Sequence, residues 1–212
     1  MSALELRDVV IRPRTGGDAL FAPLTVTVPA GTITTVMGPS GIGKSTLIDF
    51  IGGHLAPDFV ASGSVALNGL DVTGMPAEAR RIGILFQDAL LFPHLSVGEN
   101  LGFGLSAEIR GRSARRAAVD AALDQAGLGG LHDRDPATLS GGQRARAALM
   151  RTLLAGPRAL LLDEPFSRLD PALRQDVRGF VFDHIRTRSI PVLMVSHDAA
   201  DAEDARGPIV SL

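Results

Sequence analysis

The sequence predicts an α/β fold built on a mostly parallel sheet, and three observations lead there. Short apolar runs rich in Val, Ile and Leu alternate with stretches of helical periodicity. Two of the runs, 159–162 (ALLL) and 191–195 (PVLMV), are apolar without alternation, as in strands covered on both faces. From about Ser96 to Gly156 only helical periodicity is present. The middle third is therefore expected to be an α-helical subdomain, approximately 90–156, inserted in a single domain spanning 1–212.

Composition bounds the reading further. The chain has 212 residues, of which 45% are hydrophobic and 21% charged, enough for one domain with a true core. The net charge of −2 argues against a protein whose main work is neutralising nucleic-acid phosphates. With no cysteine, a disulfide framework, an iron–sulfur cluster and a thiol nucleophile are excluded. No apolar run approaches the ~20 residues of a spanning helix, and the first ten residues carry Glu5 and Asp8 rather than an apolar leader. The expected location is cytoplasmic.

The elements follow in order. Residues 4–11 and 24–28 read as strands of an N-terminal antiparallel β part. After the turn at Pro29-Ala30-Gly31, residues 32–37 form a buried strand that runs into a glycine-rich loop. Helical pattern covers Lys44 to Ile51 and is closed by Gly52-Gly53. Residues 64–67 with Asn68-Gly69 read as a short strand and turn, and 82–86 as another buried strand. In the helical third, 113–126 should bury Ala118, Ala121, Ala122, Leu123 and Ala126, and 141–155 form a second helix stopped by Gly156-Pro157. Strand 159–162, helix 171–186, strand 191–195, helix 198–205 and an edge strand at 208–212 complete the chain.

Chemistry concentrates in three strings. Gly38-Pro39-Ser40-Gly41-Ile42-Gly43-Lys44-Ser45 follows a strand and opens a helix that continues with Thr46, the setting of a phosphate-binding P-loop. Its glycines free backbone N–H groups, and Lys44 offers a point charge to the β- and γ-phosphates. Lys44 is the sole lysine among 21 basic residues, and a chance match in a glycine-rich turn would leave that unexplained. Ser45 would hold Mg²⁺. Asp163 and Glu164 end the run LLLDEP, where open α/β sheets bind ligands. Asp163 would hold Mg²⁺ through water and Glu164 orient the attacking water, the plainer alternative being a solvated strand end. Leu139-Ser140-Gly141-Gly142-Gln143 opens a helix with uncovered N–H groups, either an anion site or an ordinary capped start.

LSGGQ, the P-loop, Gln87 after an apolar strand, LLLDEP and His197 after another strand occur together over nearly the whole chain. In this combination the sequence resembles the nucleotide-binding subunit of an ATP-binding-cassette (ABC) transporter. The resemblance implies a P-loop NTPase core that takes ATP and Mg²⁺ as a Mg-dependent ATPase. It implies Gln87 as a glutamine reaching Mg²⁺ and the attacking water. It implies Ser140 and Gly142, in the signature with Gly141 and Gln143, at the γ-phosphate held by a second copy. Asp170, in Ser167-Arg168-Leu169-Asp170, would link the two sites, and His197 would sit at the γ-phosphate. Partners so implied are a homodimer in the ATP-bound state, integral membrane permease subunits and a solute-binding protein, on the cytoplasmic face of the inner membrane. No nucleic acid is expected.

Importers of small solutes such as polyamines, ferric iron or thiamine carry segments similar to 82–105, where Leu90, Leu91, Phe92 and Pro93 are apolar enough to suit a permease helix. An alternative is a non-transport ABC-type ATPase acting on nucleic acid or ribosomes, against which the missing coiled-coil insertion speaks. The sequence departs from the family in two places. No Tyr or Trp is available to stack on adenine; Arg12 or Arg14 could stack instead, or Phe21 could fold over. Arg168 also replaces the usual small residue. Arg110, Arg112, Arg115 and Arg116 read as a solvated helix face.

Overall fold

The computed structural model describes residues 3–212. By its contacts the chain divides into two compact units. The first comprises the chain up to Ile84, Arg158–Glu164 and Phe182–Leu212, and the second Leu85–Pro157 and Pro165–Val181.

The first unit holds both sheets. Strand β1 (Ala3–Pro13) pairs antiparallel with β2 (Leu24–Pro29) and with β4 (Phe59–Leu67), which pairs with the short β5 (Leu70–Asp71). Strand β3 (Ile33–Met37) lies in a second sheet of order β6-β7-β8-β3-β9, with β6 (Ile82–Leu85), β7 (Ala159–Asp163), β8 (Val192–Ser196) and β9 (Ile209–Ser211). The β3–β8, β7–β8 and β3–β9 pairs are parallel, so these strands end at one edge. Every residue of β8 is buried, as an uninterrupted apolar run demands.

Helix α1 (Lys44–Gly52) leaves the loop after β3. One core joins its Leu47, Ile48 and Ile51 to Leu4, Leu6 and Val28 of the antiparallel sheet and to Leu161, Leu193 and Val195 of the parallel one. Helix α2 (Ala77–Arg80) is too short for periodicity to reveal, yet it places a key side chain. The buried Arg80 guanidinium donates to the carbonyls of Phe50, Ile51, Thr73 and Met75 at 2.6–2.9 Å. It thereby satisfies carbonyls that the end of α1 leaves open.

The second unit is built on α3 (Val97–Gly104), α4 (Arg112–Gln125) and α5 (Gly141–Leu154), which pack on one another. The buried face of α4 is Val119, Ala122 and Leu123, with Ala126 just beyond, whereas Ala121 is exposed. Alanine is nearly neutral between core and solvent, so alanine positions alone put Ala121 into the stripe and left Val119 out of it. Arg115 is also not part of a solvated face: it donates to the carbonyls of Gly102 and Ile109. Helix α6 (Pro171–Arg186) carries residues of both units, and α7 (Ala199–Ala205) belongs to the first. Among the described residues no helix is long and apolar enough to cross a membrane.

Candidate functional site

In the first unit, three strand ends supply the polar groups. The loop after β3 turns through Gly41 and Gly43 at φ 82° and 105°, left-handed values that other residues resist. A Cβ on Gly43 would also lie 2.8 Å from Leu20 Cδ1. Lys44 is only 5% exposed, and its ammonium donates to the carbonyls of Gly38 and Pro39 at 2.8 and 3.1 Å. The positive group thus sits across the loop's cradle, where an anion would compete for it.

Strand β7 delivers Asp163 and Glu164. The Ser45 hydroxyl donates to Asp163 Oδ1 at 3.0 Å. Glu164 Oε1 lies 3.6 Å from Lys44 Nζ, and its Oε2 lies 3.1 Å from His197 Nδ1. Glu164 has φ 43°, an uncommon backbone conformation for a side chain of its kind, and its N–H donates to Val195 O at 3.0 Å. His197 follows β8. The turn behind it is held by the Ser196 hydroxyl, which donates to the buried Asp201 at 2.7 Å and accepts from the Asp198 N–H. Asp201 is a positioning residue that sequence reading missed, because an acid in the first turn of a helix looks ordinary.

Burial pushes the Asp163 carboxyl above its usual range. The neighbouring Glu164 and Asp49 carboxylates act in the same direction, while Ser45 and Lys44 oppose them. The described residues contain no group of three His, Asp or Glu able to hold a metal alone. Ser45 and Asp163 form a two-oxygen hard donor set, which fits Mg²⁺ arriving with phosphate and water oxygens.

The second unit holds the other sequence-predicted residues. Ser140 caps α5: its hydroxyl accepts from the Gln143 N–H at 3.2 Å, and Gln143 Oε1 accepts from the Ser140 N–H at 2.9 Å. The Gln143 side chain is therefore committed to this capping box. A Cβ on Gly142 would touch Val177, and one on Gly141 would meet Leu169. Gln87 and Gly141 line a cavity of about 230 Å³, and Asp170 is exposed just before α6.

The substitutes for a missing aromatic need correction. Phe21 is only 5% exposed and lies within the core. Arg14 donates to the carbonyls of Pro57 and Phe59 at 2.7 and 3.3 Å, so its guanidinium is committed. Arg12 stays exposed on β1, and Leu20 is the apolar side chain against Gly43. In the second unit Leu91 and Phe92 are half-buried, while Leu90 is exposed. Phe103, absent from the sequence reading, is 71% exposed and meets Phe92 edge-on with centroids 4.8 Å apart.

Comparison with known proteins bears on this geometry. The ABC transporter family model matches residues 21–167. The chain is 54% identical over 182 residues to the ABC transporter ATP-binding protein YnjD of Escherichia coli (strain K12), covering 86% of this chain and 83% of that one. It is 46% identical over 183 residues to the thiamine import ATP-binding protein ThiQ of Mesorhizobium japonicum, covering 85% and 71%. With ThiQ of Escherichia coli (strain K12) it shares 44% over 178 residues, covering 84% and 75%. The chain thus belongs to the ABC transporter family, and it is an ATP-binding ATPase.

Proposed function

We propose that this ATPase powers the import of a solute through a membrane permease, and that two copies close on two ATP molecules to do so. The observation that carries this reading is the convergence of Lys44, Ser45, Asp163, Glu164 and His197 at one edge of the parallel sheet, linked by contacts of 3.0–3.6 Å.

The P-loop amides from Gly38 to Thr46 cradle the phosphates of ATP, and α1 adds the positive end of its dipole. Lys44 exchanges the Gly38 and Pro39 carbonyls for phosphate oxygens. Ser45, and Asp163 through water, would hold Mg²⁺, and the family resemblance gives Gln87 the role of a further ligand. Bound there, Mg²⁺ neutralises charge that builds on the transferred phosphoryl group. Glu164 orients the attacking water and draws on its proton, and His197 fixes the Glu164 carboxylate from the other side while facing the γ-phosphate. Ser140 and Gly142, at the start of α5, contact the γ-phosphate held by the second copy, with Gly141 beside them. Asp170 joins the two halves.

Phe103, Phe92 and Leu90 form an apolar surface on the second unit, of the kind that accepts an apolar helix of a partner. Docked there on a permease, the subunit works on the cytoplasmic face of the membrane, and a solute-binding protein delivers the cargo. Selection of the solute lies with those other subunits.

The test is to reconstitute the chain in vesicles with a candidate permease of several membrane-spanning helices. ATP-dependent solute uptake that is lost in Lys44→Ala and in Phe103→Asp supports the reading. Uptake unaffected by Lys44→Ala sinks it.

A further inference from the structure

We propose that Arg168 is a positioning residue for Gln87, acting through an ion pair with Asp88. The inference rests on the role proposed above for Gln87.

Arg168 Nη1 lies 2.6 Å from Asp88 Oδ1, joining two loops far apart in the sequence. Asp88 is the residue after Gln87, and all three line the same cavity of about 230 Å³. The two loops differ in firmness. The Arg168 loop is anchored: Leu169 N–H donates to Phe166 O, and Arg174 donates to the carbonyls of Ser167 and Leu169. Within the segment after Gln87, Leu90 N–H donates to Asp88 O, Leu91 N–H to Ala89 O and Leu95 N–H to Phe92 O, all bonds between near neighbours.

That segment is instead held by side chains from elsewhere in the unit. Buried Asn100 accepts from the Phe92 N–H and donates to the Phe92, Leu95 and Ser96 carbonyls. Arg151 donates to Leu90 O at 2.7 Å and lies over the Phe92 ring. Both act on residues 90–96. Arg168 is the side chain whose ion pair reaches the residue adjoining Gln87.

The pair is 61% and 50% exposed, so its worth to global stability is small and falls with salt. Its worth to geometry differs. A carboxylate fixed at Asp88 limits the backbone freedom of Gln87, whose reach depends on placement within about an ångström. A small residue at 168 would leave that freedom unchecked.

The test compares single-turnover ATP hydrolysis, ATP affinity and melting temperature in the full chain. Arg168→Ala and Asp88→Ala should each slow hydrolysis by on the order of tenfold, with affinity and melting temperature unchanged. The exchanged pair Asp88→Arg with Arg168→Asp should recover most of the rate. Arg168→Ala added to Gln87→Ala should cost nothing further, because the brace acts through that glutamine. Wild-type rates in both single variants, or additive losses with Gln87→Ala, overturn the proposal. Gln87→Ala at the wild-type rate would instead remove the role given to Gln87, a result distinct from failure of the brace.

Discussion

Lys44 and Glu164 face each other across the site, and their neighbours make each hard to replace. Glu164→Gln keeps the shape and the contact to His197 but loses the proton acceptor. Steady-state hydrolysis should fall by about 10²–10⁴-fold with ATP binding retained, measured by phosphate release beside calorimetry. Lys44→Arg keeps the charge, yet the ammonium is buried between two carbonyls where a planar fork does not fit. ATP affinity should fall more than about tenfold, or ~1.4 kcal/mol, and equal affinity by calorimetry would refute this. Base selectivity follows from what borders the loop. With Phe21 in the core and Arg14 committed to carbonyls, Leu20 borders the loop at Gly43 and Arg12 stays exposed on β1, and neither is an aromatic platform. Competition assays should place GTP within roughly tenfold of ATP. The P-loop, LSGGQ and LLLDEP strings could be read because each is contiguous. The partners of Arg14, Arg168 and Gln143 could not, because an arginine or a glutamine does not announce in sequence which carbonyl, carboxylate or N–H it will meet.

At the scale of elements, the reading succeeded where apolar runs were long. The strand and helix order was legible because strands buried on both faces lack polar interruptions and α6 shows full helical periodicity. It fell short on β4, which begins five residues before the expected start, at Phe59. That half is largely exposed and is held by register with β1, from Val10↔Ser62 to Pro13↔Phe59, rather than by burial. It also missed α2, whose four residues exist to carry Arg80. Arg80→Lys removes the fork that reaches four carbonyls. It should cost about 1.5–3 kcal/mol, lowering the melting temperature by roughly 3–12 °C in a thermal scan. Loss of ATP affinity should accompany it, since α1 opens at Lys44.

Across the whole molecule, the site holds negative charge that the fold alone tolerates poorly. The Asp163 carboxyl titrates above its unfolded value, so the folded chain binds this proton more readily than the unfolded one. Its contribution to stability is therefore fully present below the unfolded pKa and is lost as pH rises through the folded one. At neutral pH, Asp163→Asn should raise the melting temperature of the nucleotide-free protein, and the gain should vanish as pH is lowered toward 4. With ATP and Mg²⁺ the order should reverse, because the variant loses a cation contact. A variant less stable than the parent without nucleotide at pH 7 would contradict this account.

Lys44 has one more consequence, for chemical labelling. Apart from an α-amino group, the sequence offers amine-directed reagents a single side chain, and the structure buries it in the cradle of the nucleotide. Surface modification therefore has almost nothing to attack, while an ATP analogue bearing an aldehyde would meet its only side-chain amine where its phosphates dock. Attachment at one stoichiometric site, prevented by ATP and located by mass spectrometry, would report occupancy of this pocket without mutation or an added tag.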